Sequence, residues 1–166
     1  FKSEKIDTHG GSLRVYIKKE KKVKIESSVK KMLKEEEDFG IKDFKTYQKF
    51  GEKVYEIRQN VLNNFKILKD HNKTIIGYGA PAKATTALNF FGISEEIKFI
   101  VEDNKLKHNK FIPGVRIPIK DKSQIKNKKN TLLVLAWNFY KDIKKNNPEL
   151  SDNFINIKEL ESSNWK

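Results

Sequence analysis

Cysteine is absent from all 166 residues of this chain, and methionine occurs once, at Met32. A chain without cysteine forms no disulfide, no thiolate zinc site and no cysteine nucleophile, and it suits a reducing compartment. No apolar run approaches the ~18 residues that a membrane-spanning helix needs, and the polar N-terminus lacks the pattern of a signal peptide. We therefore expect a cytoplasmic protein without a membrane partner.

Arginine is also scarce, although the formal net charge is +13. Only three of the 35 basic residues are arginines, and the lysines are scattered along the whole sequence. The arginine forks and clustered aromatic rings that read or stack bases are missing, so we expect no nucleic-acid partner. The excess positive charge still favours a small anionic ligand such as a nucleotide sugar.

A glycine-rich stretch, KTIIGYGAPAKATT at residues 73–86, organises the second half of the chain. Gly77, Gly79 and Ala82 have the G-x-G-x-x-A spacing of a strand that turns tightly into a helix. The first N–H groups of such a helix point at an anion, and Lys83 is a second candidate anion contact. The alternative is that the two glycines only permit a tight turn.

Asp103 follows Gly79 by 24 residues, close to where a dinucleotide-binding fold places the acid that binds ribose. This spacing leaves open a domain of an NAD(P)-dependent oxidoreductase. It also leaves open a Rossmann-like binding module without catalytic activity.

The second half of the chain predicts the α/β class. Strands are predicted at residues 74–78, 97–102, 131–137 and 154–157, and helices at 81–91 and 138–146. Strands that are apolar nearly throughout suit a parallel sheet covered on both faces. We therefore expect a Rossmann-like, mostly parallel sheet with flanking helices.

The first half predicts a strand at residues 13–17, a short helix capped by Ser27 or Ser28, and a long amphipathic helix over residues 43–69. The apolar face of the long helix recurs every three or four residues. It consists of Tyr47, Phe50, Val54, Ile57, Val61, Phe65 and Leu68. We expect this face to pack against the sheet or a partner domain. The predicted division is residues 1–70, which pack on or bridge from the core, and a core of residues 71–166.

His9 is the most conspicuous polar residue of the N-terminal half. It is followed by two glycines and a serine on a loop before a strand, which suits an exposed imidazole that accepts a proton near neutral pH. A histidine that organises the loop through backbone hydrogen bonds is an equally weighted alternative. No second histidine or carboxylate pair stands at ligand spacing, so we expect no metal site.

HGGSLR at residues 9–14 occurs together with GYGAPAK at residues 77–83, and these are followed by NFFGI at 89–93, Asp103-Asn104, and PGVRIPI at 113–119. This combination resembles the C-terminal domain of the sugar C-methyltransferases of deoxysugar biosynthesis. The likeness covers most of the chain in order, and the first two motifs together are far more specific than either alone.

The resemblance implies methylation of a carbon next to the ketone of a nucleotide-linked 4-keto-deoxysugar. His9 matches the family's base, which removes the C3 proton to give an enolate that takes its methyl group from S-adenosylmethionine. A glutamate can precede this histidine in relatives, whereas Thr8 stands here. The residues that we assign to substrate binding are Gly10, Gly11, Ser12, Tyr78, Gly79, Ala80, Lys83 and Asn104.

The resemblance further implies that a zinc-binding domain and an S-adenosylmethionine-binding domain lie upstream in the same protein. The chain begins with Phe1, so we expect a fragment that is inactive alone. Its expected partners are the nucleotide-sugar substrate and the upstream S-adenosylmethionine-binding domain.

Overall fold

The structure, a computed structural model, describes residues 1–8, 10–70, 74–126 and 130–165. The chain forms two compact units, an N-terminal unit of Phe1–Val54 and a C-terminal unit of Tyr55–Lys166. The boundary between them falls inside the long helix. The functional division at residue 70 stays a prediction.

The N-terminal unit contains an antiparallel hairpin of β1 (Lys2–Ile6) and β2 (Ser12–Tyr16), then helix α1 (Ser27–Phe39) and the first part of α2 (Phe44–Asp70). The strand predicted at residues 13–17 is confirmed as β2, which begins and ends one residue earlier. β1 was not predicted. Its sequence KSEKI is mostly polar, and its strand conformation comes from pairing with β2.

The predicted serine cap of α1 is wrong. Glu26 is the N-cap and makes no side-chain capping bond, whereas the Ser28 hydroxyl accepts a hydrogen bond from the Ser3 N–H at 3.3 Å. The helix ends at Gly40, whose φ of 78° supplies the left-handed conformation of a helix C-cap.

The C-terminal unit is built on a five-stranded sheet in which every strand pair is parallel, and its order is β5-β4-β3-β6-β7. The strands are β3 (Ile75–Tyr78), β4 (Ile97–Val101), β5 (Ile119–Lys120), β6 (Thr131–Val134) and β7 (Phe154–Asn156). Helix α3 (Ala82–Phe91) follows β3, and α4 (Tyr140–Asn146) follows β6. Short 3-10 helices lie at Lys105–Lys107, Lys122–Gln124, Trp137–Phe139, Pro148–Asn153 and Ile157–Glu161. The predicted α/β class and parallel sheet are confirmed.

Apolar side chains cover both faces of this sheet, because neighbouring residues of a strand point to opposite sides. Ile75 and Leu133 belong to one cluster together with α2 and α3, and Ile76 and Leu132 belong to a second cluster that includes Phe154. The carboxyl ends of the strands remain at one edge, which is where ligands bind in such sheets.

The apolar face of α2 has two different environments. Val61, Phe65 and Leu68 are at most 4% exposed and pack in the first cluster of the C-terminal unit. Tyr47 and Phe50, on the same face, are 56% and 70% exposed. The predicted packing on the sheet is therefore confirmed for the second half of the helix only.

Candidate functional site

Gly10 and Gly11 of the HGGSLR motif lie in the connection of the β1–β2 hairpin, and Ser12 begins β2. Gly10 and Gly11 have φ values of 90° and 115°, a region that favours glycine. The Thr8 carbonyl oxygen accepts hydrogen bonds from the Gly11 N–H and the Ser12 hydroxyl, both at 3.0 Å. His9 lies outside the described residues, so its role as a base stays a prediction.

A cavity of about 590 Å³ opens beside this connection, within the N-terminal unit. Gly11 and Ser12 line it, and the Lys5–Glu35 ion pair, at 2.6 Å, also contributes to the wall. The other lining residues are Ile6, Asp7, Leu13, Met32, Glu36, Phe39 and Ile41. Its size falls within the usual range of about 300–1,000 Å³ for small-molecule sites, and its wall combines apolar and charged groups.

The glycine-rich turn connects β3 to α3 in the C-terminal unit. A Cβ atom on Gly77 would lie 2.6 Å from Ile100 Cγ1, and one on Gly79 would lie 2.7 Å from Ala136 Cβ. Gly79 also has a φ of 84°. Both positions therefore need glycine for packing, and Gly79 needs it for its backbone conformation as well.

The side chain of Glu102, directly after β4, accepts a hydrogen bond from the glycine-rich turn. The donor is the Ala80 N–H, which was expected to bind a ligand. Glu102 Oε2 accepts the Ala80 N–H at 2.8 Å, and Glu102 Oε1 accepts the Asn104 N–H at 3.1 Å. The Lys107 ammonium lies 3.3 Å from Glu102 Oε2 and donates to the Ala80 carbonyl oxygen at 2.9 Å. The anion bound at Ala80 is thus part of the protein.

The ionisation of Glu102 follows from these contacts. Burial by itself would raise its pKa, since only 13% of the side chain is exposed, but the N–H donors of Asn104 and Ala80 and the ammonium of Lys107 outweigh burial and lower the pKa. Glu102 is therefore a carboxylate at neutral pH. His108 holds the adjacent backbone, because its Nε2–H donates to the Glu102 carbonyl oxygen at 2.6 Å.

Tyr78 ends β3 but lies in the core. It is 2% exposed and packs edge-on against Phe154, with ring centres 5.2 Å apart. Its hydroxyl donates to Asn147 Oδ1 at 3.4 Å, and Lys122 donates to the same oxygen. Burial, with Asp103 nearby, raises the pKa of Tyr78 to about 12, so the hydroxyl stays protonated.

Lys83 and Asn104 also have partners within the C-terminal unit. The Lys83 ammonium lies 4.5 Å from the ring centre of Trp137, over the face of the indole. Asn104 Oδ1 accepts the Leu106 N–H at 3.0 Å and caps a 3-10 helix. The structure brings Ala80 and Asn104 together through Glu102, while Gly10, Gly11 and Ser12 belong to the N-terminal unit.

Sequence analysis assigned no individual role to Glu102, Lys107 or Asn147. The signal for Glu102 was its position directly after an apolar strand, the position at which ligand-binding acids of such folds occur. Its neighbour Asp103 was chosen on spacing. Nothing in the local sequence indicates that Glu102 turns back to Ala80, because this contact joins residues 22 positions apart.

Within the described residues, no three histidine, aspartate or glutamate side chains form a group that could hold a metal ion. Over the same part of the chain, no helix is both long enough and apolar enough to cross a bilayer.

Comparison with known proteins gives two findings. A family model described as C-methyltransferase C-terminal domain matches residues 7–156, which include both motifs. The chain is also similar to C-methyltransferase NovU of Streptomyces niveus, with 33% identity over 150 residues. This match covers 89% of the chain and 36% of that protein, so the chain spans about a third of the length of the curated relative.

Proposed function

Since this chain belongs to the family of C-methyltransferase C-terminal domains, we propose that it is the substrate-side domain of an S-adenosylmethionine-dependent enzyme that methylates a nucleotide-linked keto-deoxysugar. The likeness to a C-methyltransferase favours this function over an NAD(P)-dependent oxidoreductase and over a module without catalysis. The chain alone is expected to be inactive, because it spans about a third of its relative.

His9 is the proposed general base. Its imidazole takes the proton from the carbon next to the ketone, and the electron pair of the broken C–H bond forms an enolate. S-adenosylmethionine supplies the methyl group that the enolate carbon accepts. A base with a pKa near the working pH typically contributes about 10²–10⁴-fold to the rate. Thr8, which precedes His9, carries no charge that could orient the imidazole.

The observation that supports this assignment most is the cavity beside the hairpin connection. Gly11 and Ser12 line its wall, and the chain between them and β1 carries His9. The glycines let the backbone approach a ligand closely, and the Ser12 hydroxyl is a polar group at the cavity wall. We therefore propose that the keto-sugar is held here, with Gly10, Gly11 and Ser12 as contacts.

The glycine-rich turn is proposed to hold the anionic part of the nucleotide sugar. Ala80 uses its N–H for Glu102, but the N–H groups of Ala82 and Lys83, in the first turn of α3, have no carbonyl partner within the helix. With the Lys83 ammonium, they favour negative charge. Tyr78, Gly79, Ala80 and Asn104 shape this turn in the proposal.

The same turn does not fit the nucleoside of the methyl donor. Glu102, the first acid after β4 and the neighbour of Asp103, uses both of its oxygens to accept N–H groups of the chain itself. We therefore assign binding of S-adenosylmethionine to another part of the enzyme.

The test uses the full-length enzyme and the substitution His9→Gln. Methyl transfer should fall by about 10²–10⁴-fold. Without the methyl donor, uptake of deuterium from D₂O into the carbon next to the ketone should fall as much, because this exchange reports proton removal alone. His71→Gln is the control, a histidine to which no role is assigned. Unchanged exchange in His9→Gln would exclude His9 as the base.

Measurements of ligand binding distinguish the methyltransferase from the oxidoreductase alternative. Titration of the full-length enzyme with nucleoside diphosphate, NAD and S-adenosylmethionine should show a weaker affinity for nucleoside diphosphate in Lys83→Ala and an unchanged affinity for S-adenosylmethionine. Tight binding of NAD that depends on Lys83 would instead favour the oxidoreductase.

A further inference from the structure

The N-terminal unit exposes an unusual amount of apolar surface. None of its described residues, 1–8 and 10–54, is buried. Its large apolar side chains that are more than a third exposed are Leu13, Val15, Ile17, Ile25, Leu33, Phe39, Ile41, Phe44, Tyr47 and Phe50. Where such side chains share one surface, they mark an interaction site.

The first half of α2 carries three of these side chains on one helix. Phe44, Tyr47 and Phe50, which we call the bare stripe, are 72%, 56% and 70% exposed. Tyr47 and Phe50 continue the face that is buried as Val61 and Phe65 farther along the same helix, and Phe44 lies at the edge of this face one turn before Tyr47. One apolar face therefore runs the length of α2, but only its second half is covered.

Gly51 supplies a second, independent observation. It lies in the interior of α2, four residues after Tyr47 and hence on the same side of the helix. Glycine weakens a helix relative to alanine, yet a Cβ atom at this position would meet nothing within 4 Å. Nothing within the described residues requires glycine here. A glycine beside exposed aromatic rings suits the close approach of another backbone.

We propose that the bare stripe and Gly51 form the docking face for the part of the same enzyme that binds S-adenosylmethionine, an inference that rests on the proposed function. Nearly two thirds of the length of the curated relative lies outside the match with this chain, so there is enough polypeptide to cover the stripe. A standard interface involves about 20–30 residues a side with aromatic anchors at its centre, and three large rings around a glycine match this pattern. Lys45 and Lys49 lie on the opposite side of α2 and keep that side in water.

The first experiment labels the side chains of the wild-type full-length enzyme with hydroxyl radicals and compares phenylalanines. Phe111 and Phe139 of the C-terminal unit, at 61% and 57% exposed, are the internal controls. Phe44 and Phe50 should be labelled several-fold more slowly than these controls, at all protein concentrations. Equal labelling would overturn the proposal. Protection that rises with concentration, together with a doubled mass, would replace the proposed partner by a second copy of the chain.

The second experiment compares Gly51→Leu with Lys49→Leu in the full-length enzyme. Both add the same side chain to the same helix, but only Gly51→Leu fills the proposed contact. It should restore labelling of Phe50 towards the control rate, whereas Lys49→Leu should not. If Gly51→Leu leaves Phe50 protected, the docking face is not at this position. Failure of His9 as base would not change labelling, so the two proposals fail separately.

Discussion

The two units differ in how far their apolar residues are buried. All buried apolar residues among those described lie in the C-terminal unit, from Val61 to Leu160, and they cover both faces of the parallel sheet. The N-terminal unit has two strands, a whole helix and half of another, but none of its described residues is buried. Regular secondary structure alone therefore does not make a core, because burial requires a second layer to pack against.

One glycine from each unit, Gly79 and Gly11, shows a similar contrast. Gly79 is enclosed, with Ala136 only 2.7 Å from the position of a Cβ atom, whereas Gly11 has nothing within 4 Å of that position. Both have positive φ. Gly79 therefore meets packing and backbone demands together, whereas Gly11 meets the backbone demand alone.

The largest expected effect concerns leucines in the two units. Leu88 is fully buried between α3 and the sheet, so Leu88→Ala should destabilise the protein by about 2–5 kcal/mol. Leu33 is 60% exposed, and Leu33→Ala should change stability by less than about 0.5 kcal/mol. Urea unfolding of both variants provides the measurement. A large loss in Leu33→Ala would show that the N-terminal unit has a core after all.

The next largest difference in stability is expected between alanine substitutions of two glycines. Gly79→Ala combines a left-handed backbone with a contact that is too short, and we expect a loss of about 2–4 kcal/mol. Gly11→Ala should cost about 1 kcal/mol, because the strain there is conformational only. Thermal unfolding distinguishes them, and equal losses would mean that Ala136 moves away freely.

Glu102→Gln should cost about 1–2 kcal/mol at neutral pH, because the shape is kept and the charge is lost. The folded-state pKa of Glu102 is lowered, so its contribution is complete above the unfolded-state pKa and disappears as the pH falls through the folded-state value. The advantage of the wild-type protein over the variant should therefore begin to decline below about pH 4.3, the ordinary glutamate pKa, and should disappear at lower pH. If the stabilities of the wild-type protein and Glu102→Gln differed by the same amount at every pH, the contacts assigned to Glu102 would be contradicted.

The smallest effect is expected for Glu35→Gln in the N-terminal unit. Lys5 lowers the pKa of Glu35 as Lys107 helps to lower that of Glu102, but this pair is exposed to water. Exposed ion pairs are weakened by side-chain entropy and by salt. The unfolding midpoint should not change measurably in 0.15 M salt. A clear shift that persists at high salt would mean that Glu35 is covered in the folded protein.

Much of the fold follows from the sequence because it depends on local periodicity. The long helix was predicted at Asp43–Lys69 and is found at Phe44–Asp70, since its apolar face repeats through the whole length. Four of the five parallel strands, β3, β4, β6 and β7, were predicted, and the strands that are apolar nearly throughout indicated a parallel sheet. β5, a strand of two residues, was not predicted. β1 was missed, because a polar strand depends on its partner across the hairpin and has no signal of its own.

The site was less accessible to sequence analysis. The tight turn at Gly77 and Gly79 is encoded by residue size, and the structure gives the packing reason for it. The bond from Ala80 to Glu102 depends on the path of a side chain across two strands, which spacing does not determine. His9 lies outside the described residues, and its role remains a prediction.

The edges of the two sheets have a consequence for handling the protein. The five-stranded sheet ends in strands of two and three residues, β5 and β7, which offer another chain few free backbone groups. Among the described residues, neither outer edge of the hairpin, five residues long, pairs with another strand, although the Ser3 N–H of β1 donates to the Ser28 hydroxyl, and Leu13 and Val15 stand on β2. Any aggregation of this polypeptide in isolation should therefore begin at the hairpin, and a soluble form is best sought by shielding or charging that edge.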